Sequence, residues 1–178
     1  MKQKILAING SASPNSSNLS ILKWIEKQTN KEFEFEILDN LTEFPHFQTD
    51  RTEHNIPLKI QHLRKQIGTC NGIIICTPEY VFSIPSGLKN ILEWCVSTTV
   101  LSDKPVGIIT ASTSGIKGHE ELKLIMKTLQ AVFTEETTLL IRGVKSKIKN
   151  DGNIIDSETE EKIKYFFEEF ISLLSRKD

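Results

Sequence analysis

Little in this sequence announces a function outright, and each absence narrows the field. Within its 178 residues no apolar run approaches the roughly 20 residues that span a bilayer, so no membrane association is expected. The formal net charge of −1 provides no electrostatic case for nucleic acid or an anionic membrane as partner. Cysteine is scarce: Cys70, Cys76 and Cys95 stand without C-x-x-C spacing, which argues against both a disulfide framework and a zinc site. Cys76 ends an apolar run and reads as a small buried residue. His46, His54, His62 and His119 are scattered, with no metal-ligand spacing, so no metal is expected. There is no G-x-G-x-x-G after a strand and no Gly-Lys-Ser/Thr, which argues against an ordinary dinucleotide fold and a Walker triphosphatase. No internal repeat, low-complexity tract or domain boundary divides residues 1–178, so a single domain with a substantial core is expected. Met1 to Lys4 leads straight into a strand-like run without a signal-peptide pattern, and the chain reads as cytoplasmic.

What the sequence does contain begins with Lys4 to Ile25. A short apolar run, Ile5 to Ile8, breaks into Asn9-Gly10-Ser11-Ala12-Ser13-Pro14-Asn15-Ser16-Ser17-Asn18 and then resumes as a helical pattern through Leu19, Leu22 and Ile25. Strand, small polar loop and helix is the local plan of a phosphate-binding turn, in which backbone N–H groups, hydroxyls and the helix start face an anion. The loop has no lysine or arginine, so a phosphate here would be held by neutral donors. The plainer reading is a serine-rich connection whose last polar residue, Asn18 or Ser17, caps the helix.

Four more strand–helix alternations follow. Phe33 to Leu38 alternates apolar and charged residues, as a half-buried strand near a sheet edge does. Asp39 to Pro57 is a long polar loop carrying Phe44, His46, Phe47, Arg51 and His54; loops of that length are often functional, and the plainer reading is a solvent-exposed excursion. Leu58 to Ile67 is helical and Gly68 is its expected stop. Gly72 to Cys76 is a continuous β-branched run suited to a strand buried on both faces. Thr77 to Pro85 is bracketed by prolines and cannot be helix, and Ser86 to Thr98 is helical. A fourth strand spans Val106 to Ala111, with a loop from Ser112 to His119 and a helix from Glu120 to Phe133. A fifth strand covers Thr137 to Ile141, then a polar linker from Val144 to Asp156 and a final helix from Ser157 to Leu174, with Ser157 and Glu160 as a capping box.

Five strands alternating with five helices predict an α/β fold with a parallel sheet. Ligands in such sheets sit beyond the carboxyl ends of the strands, where strand order reverses. The loops after strands one, three and four are the Ser/Gly/Pro-rich ones, so they converge on one place. The first suits a phosphate. The third offers a rigid backbone edge beside two aromatic rings for a planar heterocycle. The fourth, through Gly115 and Gly118, permits close backbone approach to a flat ligand. Together they suggest a mononucleotide with a large planar ring. No nucleophile with a neighbouring base stands out, so the chemistry is expected to be the cofactor's.

At this point the chain resembles the NAD(P)H-dependent FMN reductase family. The resemblance rests on Gly10-Ser11 with Ser16 and Asn18 after strand one, and on Thr77-Pro78-Glu79-Tyr80 with Ser83, Pro85, Leu88-Lys89-Asn90 and Trp94 after strand three. Ser112 to Gly118 adds weaker support. It implies a flavodoxin-like three-layer sandwich with strand order 2-1-3-4-5 and helices on both faces. It implies that Ser11, Ser13, Ser16, Ser17 and Asn18 hold the FMN phosphate, that Pro78, Glu79, Tyr80, Val81 and Phe82 line the isoalloxazine edge, and that Ser112, Ser114 and Gly115 approach the ring from the other side. NADPH or NADH would be co-substrate, a flavin, quinone, azo dye or metal ion the acceptor, and a homodimer or homotetramer the assembly. This chain departs from the family pattern at Ser13, where an arginine is frequent, at Val81, where an asparagine is usual, and at Gly118-His119 in place of a Gly-Gly pair. His119 is a candidate contact to nicotinamide or substrate, and Glu79 is a candidate acid or a positioning residue. A flavodoxin-like electron carrier without NAD(P)H oxidation is the competing reading. A nucleotide hydrolase built on Glu79 and His119 is a third.

Overall fold

The computed structural model describes residues 2–29, 32–149 and 152–176. Five parallel strands, β1 (Lys4–Asn9), β2 (Glu34–Leu38), β3 (Gly72–Thr77), β4 (Val106–Ser112) and β5 (Thr138–Arg142), form one sheet in the order β2-β1-β3-β4-β5. The helices are α1 (Ser17–Gln28), α2 (Leu58–Thr69), α3 (Ser86–Glu93), α4 (Ile116–Thr128) and α5 (Ser157–Ser175). Strand class, strand order and helix number are those expected from the sequence.

The period of two in a strand sorts the core into two layers. On one face Leu6, Ile8, Ile73, Ile75, Val106 and Ile108 pack with Ile60 and Leu63 of α2, Leu88 and Ile91 of α3, and Leu122 and Met126 of α4. On the other, Ile5, Ala7, Ile74, Cys76, Ile109 and Ala111 pack with Ile21, Leu22 and Ile25 of α1 and with Ile163, Phe166 and Phe170 of α5. Every residue of β3 is buried, as its unbroken apolar run requires. The sheet is therefore covered on both faces and open to a ligand only at its ends.

Several helix boundaries differ from the sequence pattern, each for a local reason. Ser16, not Ser17 or Asn18, caps α1, its hydroxyl accepting the Leu19 N–H at 3.1 Å. Asp156 rather than the Ser157–Glu160 pair caps α5, accepting from the Thr159 N–H at 3.0 Å. Gly68 does not stop α2, which continues to Thr69. The α3 helix ends at Glu93, five residues before Thr98, because its carbonyls turn to i+3 bonds: Cys95 donates to Leu92 and Val96 to Glu93. The helix α4 starts at Ile116, earlier than Glu120, and ends at Thr128 rather than Phe133.

The loop 39–57 is not a free excursion. Leu41 and Phe44 are buried, and Phe47 meets Trp94 edge-on at 5.3 Å. The Pro45 carbonyl accepts from Trp94 Nε1 at 2.8 Å and Asn90 Nδ2 at 3.1 Å, while Asn90 Oδ1 accepts the Phe47 N–H at 2.8 Å. Its apolar residues thus fasten it to α3, and the histidines it carries, His46 and His54, remain exposed.

At the centre of the sheet, Gly107 leaves the room that α5 fills. A Cβ there would stand 2.6 Å from Phe166 Cζ and 3.2 Å from Phe170 Cδ2. Gly107→Ala is expected to cost about 1–3 kcal/mol through overpacking, read as a lower denaturant midpoint at unchanged m-value.

Candidate active site

The ends of β1, β3 and β4 come level, with Asn9 opposite Cys76 and Thr77 opposite Thr110. The loops that leave these strands are joined by three side-chain bridges. Ser11 Oγ lies 3.4 Å from the Tyr80 hydroxyl, linking the first loop to the third. Asn18 is buried, its amide donating to the Ala111 carbonyl at 3.3 Å and its oxygen accepting from Cys76 Sγ at 3.4 Å, which ties the start of α1 to β4 and β3. Glu79 spans the third and fourth loops: its carboxylate accepts the Gly115 N–H at 3.3 Å and the Gly118 N–H at 2.8 Å. These N–H groups belong to the start of α4, whose own cap, Gly115 at φ +83°, has no side chain to offer. Glu79 supplies the missing cap, and its negative charge meets the positive end of the helix.

The first loop keeps its polar groups in order. Gly10 passes so close to β3 that a Cβ would sit 2.5 Å from Thr77 Oγ1. The Asn9 side chain accepts the Ser11 N–H at 3.2 Å and donates to Asp39 at 2.9 Å, and Ser11 Oγ accepts the Ser13 N–H at 3.2 Å. Ser11 and Ser16 are buried, Ser17 is half-buried and Ser13 is exposed. At the opening turn of α1, N–H groups precede the first intrahelical bonds and point outward.

The third loop is a tight hairpin. The Tyr80 N–H donates to Ser83 O at 2.9 Å and the Ser83 N–H donates back to Tyr80 O at 3.0 Å. Its two central residues, Val81 at φ +52° and Phe82 at φ +59°, both hold the left-handed conformation that defines a type I′ turn. That conformation favours Asn and Gly and is strained for a β-branched residue. Both side chains also face solvent, Val81 at 94% and Phe82 at 77% exposure. Behind the hairpin, Glu121 of α4 accepts from Ser83 Oγ at 2.6 Å, the Ile84 N–H at 2.9 Å and Lys89 Nζ at 3.0 Å. Burial pushes the Glu121 carboxyl up, but the Ser83 hydroxyl, the Ile84 N–H and Lys89 outweigh it and hold it below the usual carboxylate value.

A groove of about 920 Å³ opens at the ends of β2, β1 and β3. Of the residues expected at a cofactor, Ser11, Ser13 and Tyr80 line it; Ser16, Ser17, Asn18, Pro78, Glu79, Val81, Phe82, Ser112, Ser114 and Gly115 lie outside its lining. Its other walls come from Phe44 and Phe47 of the long loop, from Lys89 and Asn90 of the motif on α3, and from three residues not expected at a site, Asp39 and Asn40 after β2 and Glu93 of α3. The signal for Asp39 lay in the register, since Ile8 pairs with Leu38 and the next residues are Asn9 and Asp39. Gly118, for its part, makes room for Glu79 and the Ser83 carbonyl, both within 3.4 Å of where its Cβ would be.

Among the described residues neither a thiol nor the His119–Glu79 pair is poised as a nucleophile with its base. All three thiols are buried, and burial pushes Cys76 far up and Cys95 up to about 12. His119 Nδ1 is hydrogen-bonded to Thr110 Oγ1 at 2.9 Å, and no hydrogen bond joins it to Glu79 among the described residues. With both Glu79 oxygens engaged by backbone, the pair does not form an acid–base couple.

The residue set fits FMN. The phosphate end offers neutral hydroxyls and a helix start, and the hairpin offers a rigid polar backbone edge with two exposed apolar side chains that have no protein partner of their own. The comparisons agree. A match to the family of NADPH-dependent FMN reductases covers residues 3–145. A quinone reductase of Escherichia coli K12 is 28% identical over 165 residues, 89% of this chain and 88% of that protein. An NADH-dependent flavin reductase subunit of Lactobacillus johnsonii is 27% identical over 185 residues, 97% and 98% of the two chains. Among solved structures, the flavoenzyme NAD(P)H:(acceptor) oxidoreductase FerB of Paracoccus denitrificans superposes with a TM-score of 0.85 over 98% of both chains at 21% identity, a likeness of fold.

Two of these contacts can be probed singly. Glu79→Ala removes the cap of α4 and is expected to cost about 1–2 kcal/mol, measured by chemical denaturation. Burial, and then Lys123, hold His119 below the ordinary value of 6.5, with Glu135 and Glu120 opposing. A depressed folded pKa means that stability is full above the unfolded value and is lost as pH falls below it. His119→Asn is therefore expected to flatten the decline in stability as pH falls below about 6.5, read from unfolding midpoints on either side of that value.

Proposed function

We infer the reaction from one premise: the chain belongs to the NADPH-dependent FMN reductase family. It is an FMN-dependent oxidoreductase that uses NAD(P)H as reductant. FMN, when bound, would supply the redox chemistry, hydride acceptance from nicotinamide and electron donation to an acceptor; the protein supplies binding, orientation and exclusion.

The roles of individual residues are proposals that rest on the geometry above. Ser11, Ser13, Ser16 and Ser17 hold the phosphate through hydroxyls and the first N–H groups of α1, with Asn18 fixing that turn against β4. Pro78 to Phe82 present the backbone edge and apolar tip to the isoalloxazine, and Ser112, Ser114 and Gly115 close from the α4 side. Glu79 acts as the brace between these two loops rather than as an acid. The groove beside Tyr80, walled by Phe44 and Phe47, receives reductant and acceptor in turn, which makes the kinetics ping-pong. A flavin, quinone or similar planar acceptor suits aromatic walls. The exposed apolar tip of Val81 and Phe82 supports pairing with a second copy there. No helix among the described residues is long and apolar enough to cross a membrane. Use of NAD(P)H, together with three unpaired thiols, supports a cytoplasmic setting.

The observation that carries this reading is the set of bridges that brings the phosphate loop, the hairpin and the start of α4 to one end of the sheet. An absorption spectrum of the protein reconstituted with FMN, taken before and after anaerobic addition of NADH or NADPH, tests it. Rapid bleaching of the flavin bands is the expected result. A flavin that binds and stays oxidised would instead identify an electron carrier, and no binding would leave the fold without the reaction.

A further inference from the structure

The Val81–Phe82 turn is strained, and something must hold it. An L-residue in the left-handed region costs energy that persists only where the surroundings over-determine it. Here that region is occupied twice in succession, once by a β-branched residue, at a tip with no packing of its own. The restraint comes from below. On the entry side Glu79 is fastened to the Gly115 and Gly118 N–H groups. On the exit side Glu121 takes the Ser83 hydroxyl and the Ile84 N–H on one oxygen and Lys89 on the other. Gly118, lying between the two acids on α4, lets the hairpin approach to the contact distance of its own backbone. Both ends of the turn are thereby bolted to one rigid helix.

We propose that Glu121 is a positioning residue for the cofactor: through Ser83, Ile84 and Lys89 it holds Val81 and Phe82 in the left-handed turn that presents the hairpin's edge and the Phe82 ring to the flavin. This deepens the reading above and rests on FMN being the ligand of this loop. The clamp stands in for what residue 81 itself does not provide. An asparagine adopts the left-handed region readily, whereas valine does not, so a chain with valine at the turn needs an external restraint. Glu121 touches no substrate or cofactor and acts only through the turn.

That logic sets its own test. FMN is titrated into the full-length apoprotein, with binding followed by quenching of flavin fluorescence, for the wild type, Glu121→Gln, Glu121→Ala, and Glu121→Ala combined with Val81→Asn. Loss of the clamp in Glu121→Ala is expected to weaken FMN about tenfold. Glu121→Gln keeps an acceptor for Ser83 and Ile84 and is expected to fall between wild type and alanine. In the double variant the Val81→Asn change lets the turn form unaided and is expected to recover most of the lost affinity. A second readout needs no flavin: chymotrypsin acts after aromatic residues, and cleavage at Tyr80 or Phe82 of the apoprotein is expected to speed up in Glu121→Ala and to slow again in the double variant. Unchanged FMN affinity in Glu121→Ala, or a loss that Val81→Asn does not rescue, overturns the proposal. Should alanine fail to fold, the same comparison made with Glu121→Gln and its Val81→Asn partner decides. A wild-type protein that does not bind FMN overturns the cofactor reading itself, and with it this role for Glu121, whereas normal wild-type binding with an indifferent Glu121 overturns this role alone.

Discussion

The Glu79 carboxylate at the start of α4 is the contact on which the site depends. Two backbone N–H groups that the helix cannot satisfy meet one side chain that arrives from another strand's loop. The exchange serves both partners. The helix gains a cap that Gly115 lacks, and the loop after β3 gains a fixed point one residue before its turn. The Glu79 contact fixes the fourth loop against the entry side of the hairpin, as Glu121 fixes the exit side. A residue whose charge and location invite an acid–base role is thus better explained as a brace, because both its oxygens are already spent on backbone.

Rigidity reaches this brace from the core. Each central strand is buried on both faces, and alternate residues commit to opposite layers, so a slip of one position would exchange the two layers of core. The strand ends are consequently fixed in register: Asn9 stands level with Cys76, and Thr77 and Thr110 face each other one residue further on. Thr77 accommodates Gly10, and Thr110 pairs with His119. The loops inherit their positions from this level edge, and their own contacts need only make the final adjustment. A floor of this kind suits a cofactor whose phosphate and ring must be held apart at a set distance, since binding groups on different loops are no more exact than the strands beneath them.

The parts that were legible in the sequence are those governed by local rules. Strand runs such as Ile73 to Cys76, the amphipathic face of α2 and the Ser/Gly/Pro loops can be read directly; of the three polar loops, those after β1 and β3 reach the groove, while the loop after β4 meets the third loop through Glu79 instead. The parts that were not legible depend on partners distant in the chain. The start of α4 is unreadable because its cap, Glu79, lies 36 residues away from Gly115. The end of α3 is unreadable because Arg64 donates to the Trp94 carbonyl, at 3.0 Å from Nε, and holds that carbonyl outside the helix. The loop 39–57 looks polar by composition, yet Leu41, Phe44 and Phe47 recur at intervals of three and carry it onto α3. That periodicity was available, and the prolines and charges around it concealed it.

The absence of a cation from the first loop and the valine at the turn are related departures. Arginine at a phosphate and asparagine at a left-handed turn are the locally self-sufficient solutions: each residue does its own work. This chain instead distributes the work. In the first loop neutral hydroxyls and the positive end of α1 stand together without a cation, so an anion there would depend on several aligned donors rather than on one charge. A turn that its own residues disfavour is tied to α4 on both sides, by Glu79 of its own loop and by Glu121 of the helix. Distributed solutions are more sensitive to distance, because the alignment must be maintained by the scaffold. They also let the exposed tip carry an apolar pair, Val81 and Phe82, where a self-sufficient turn would carry polar or absent side chains. The result is an uncharged, apolar tip on a hairpin that is joined through Tyr80 to the polar loop after β1.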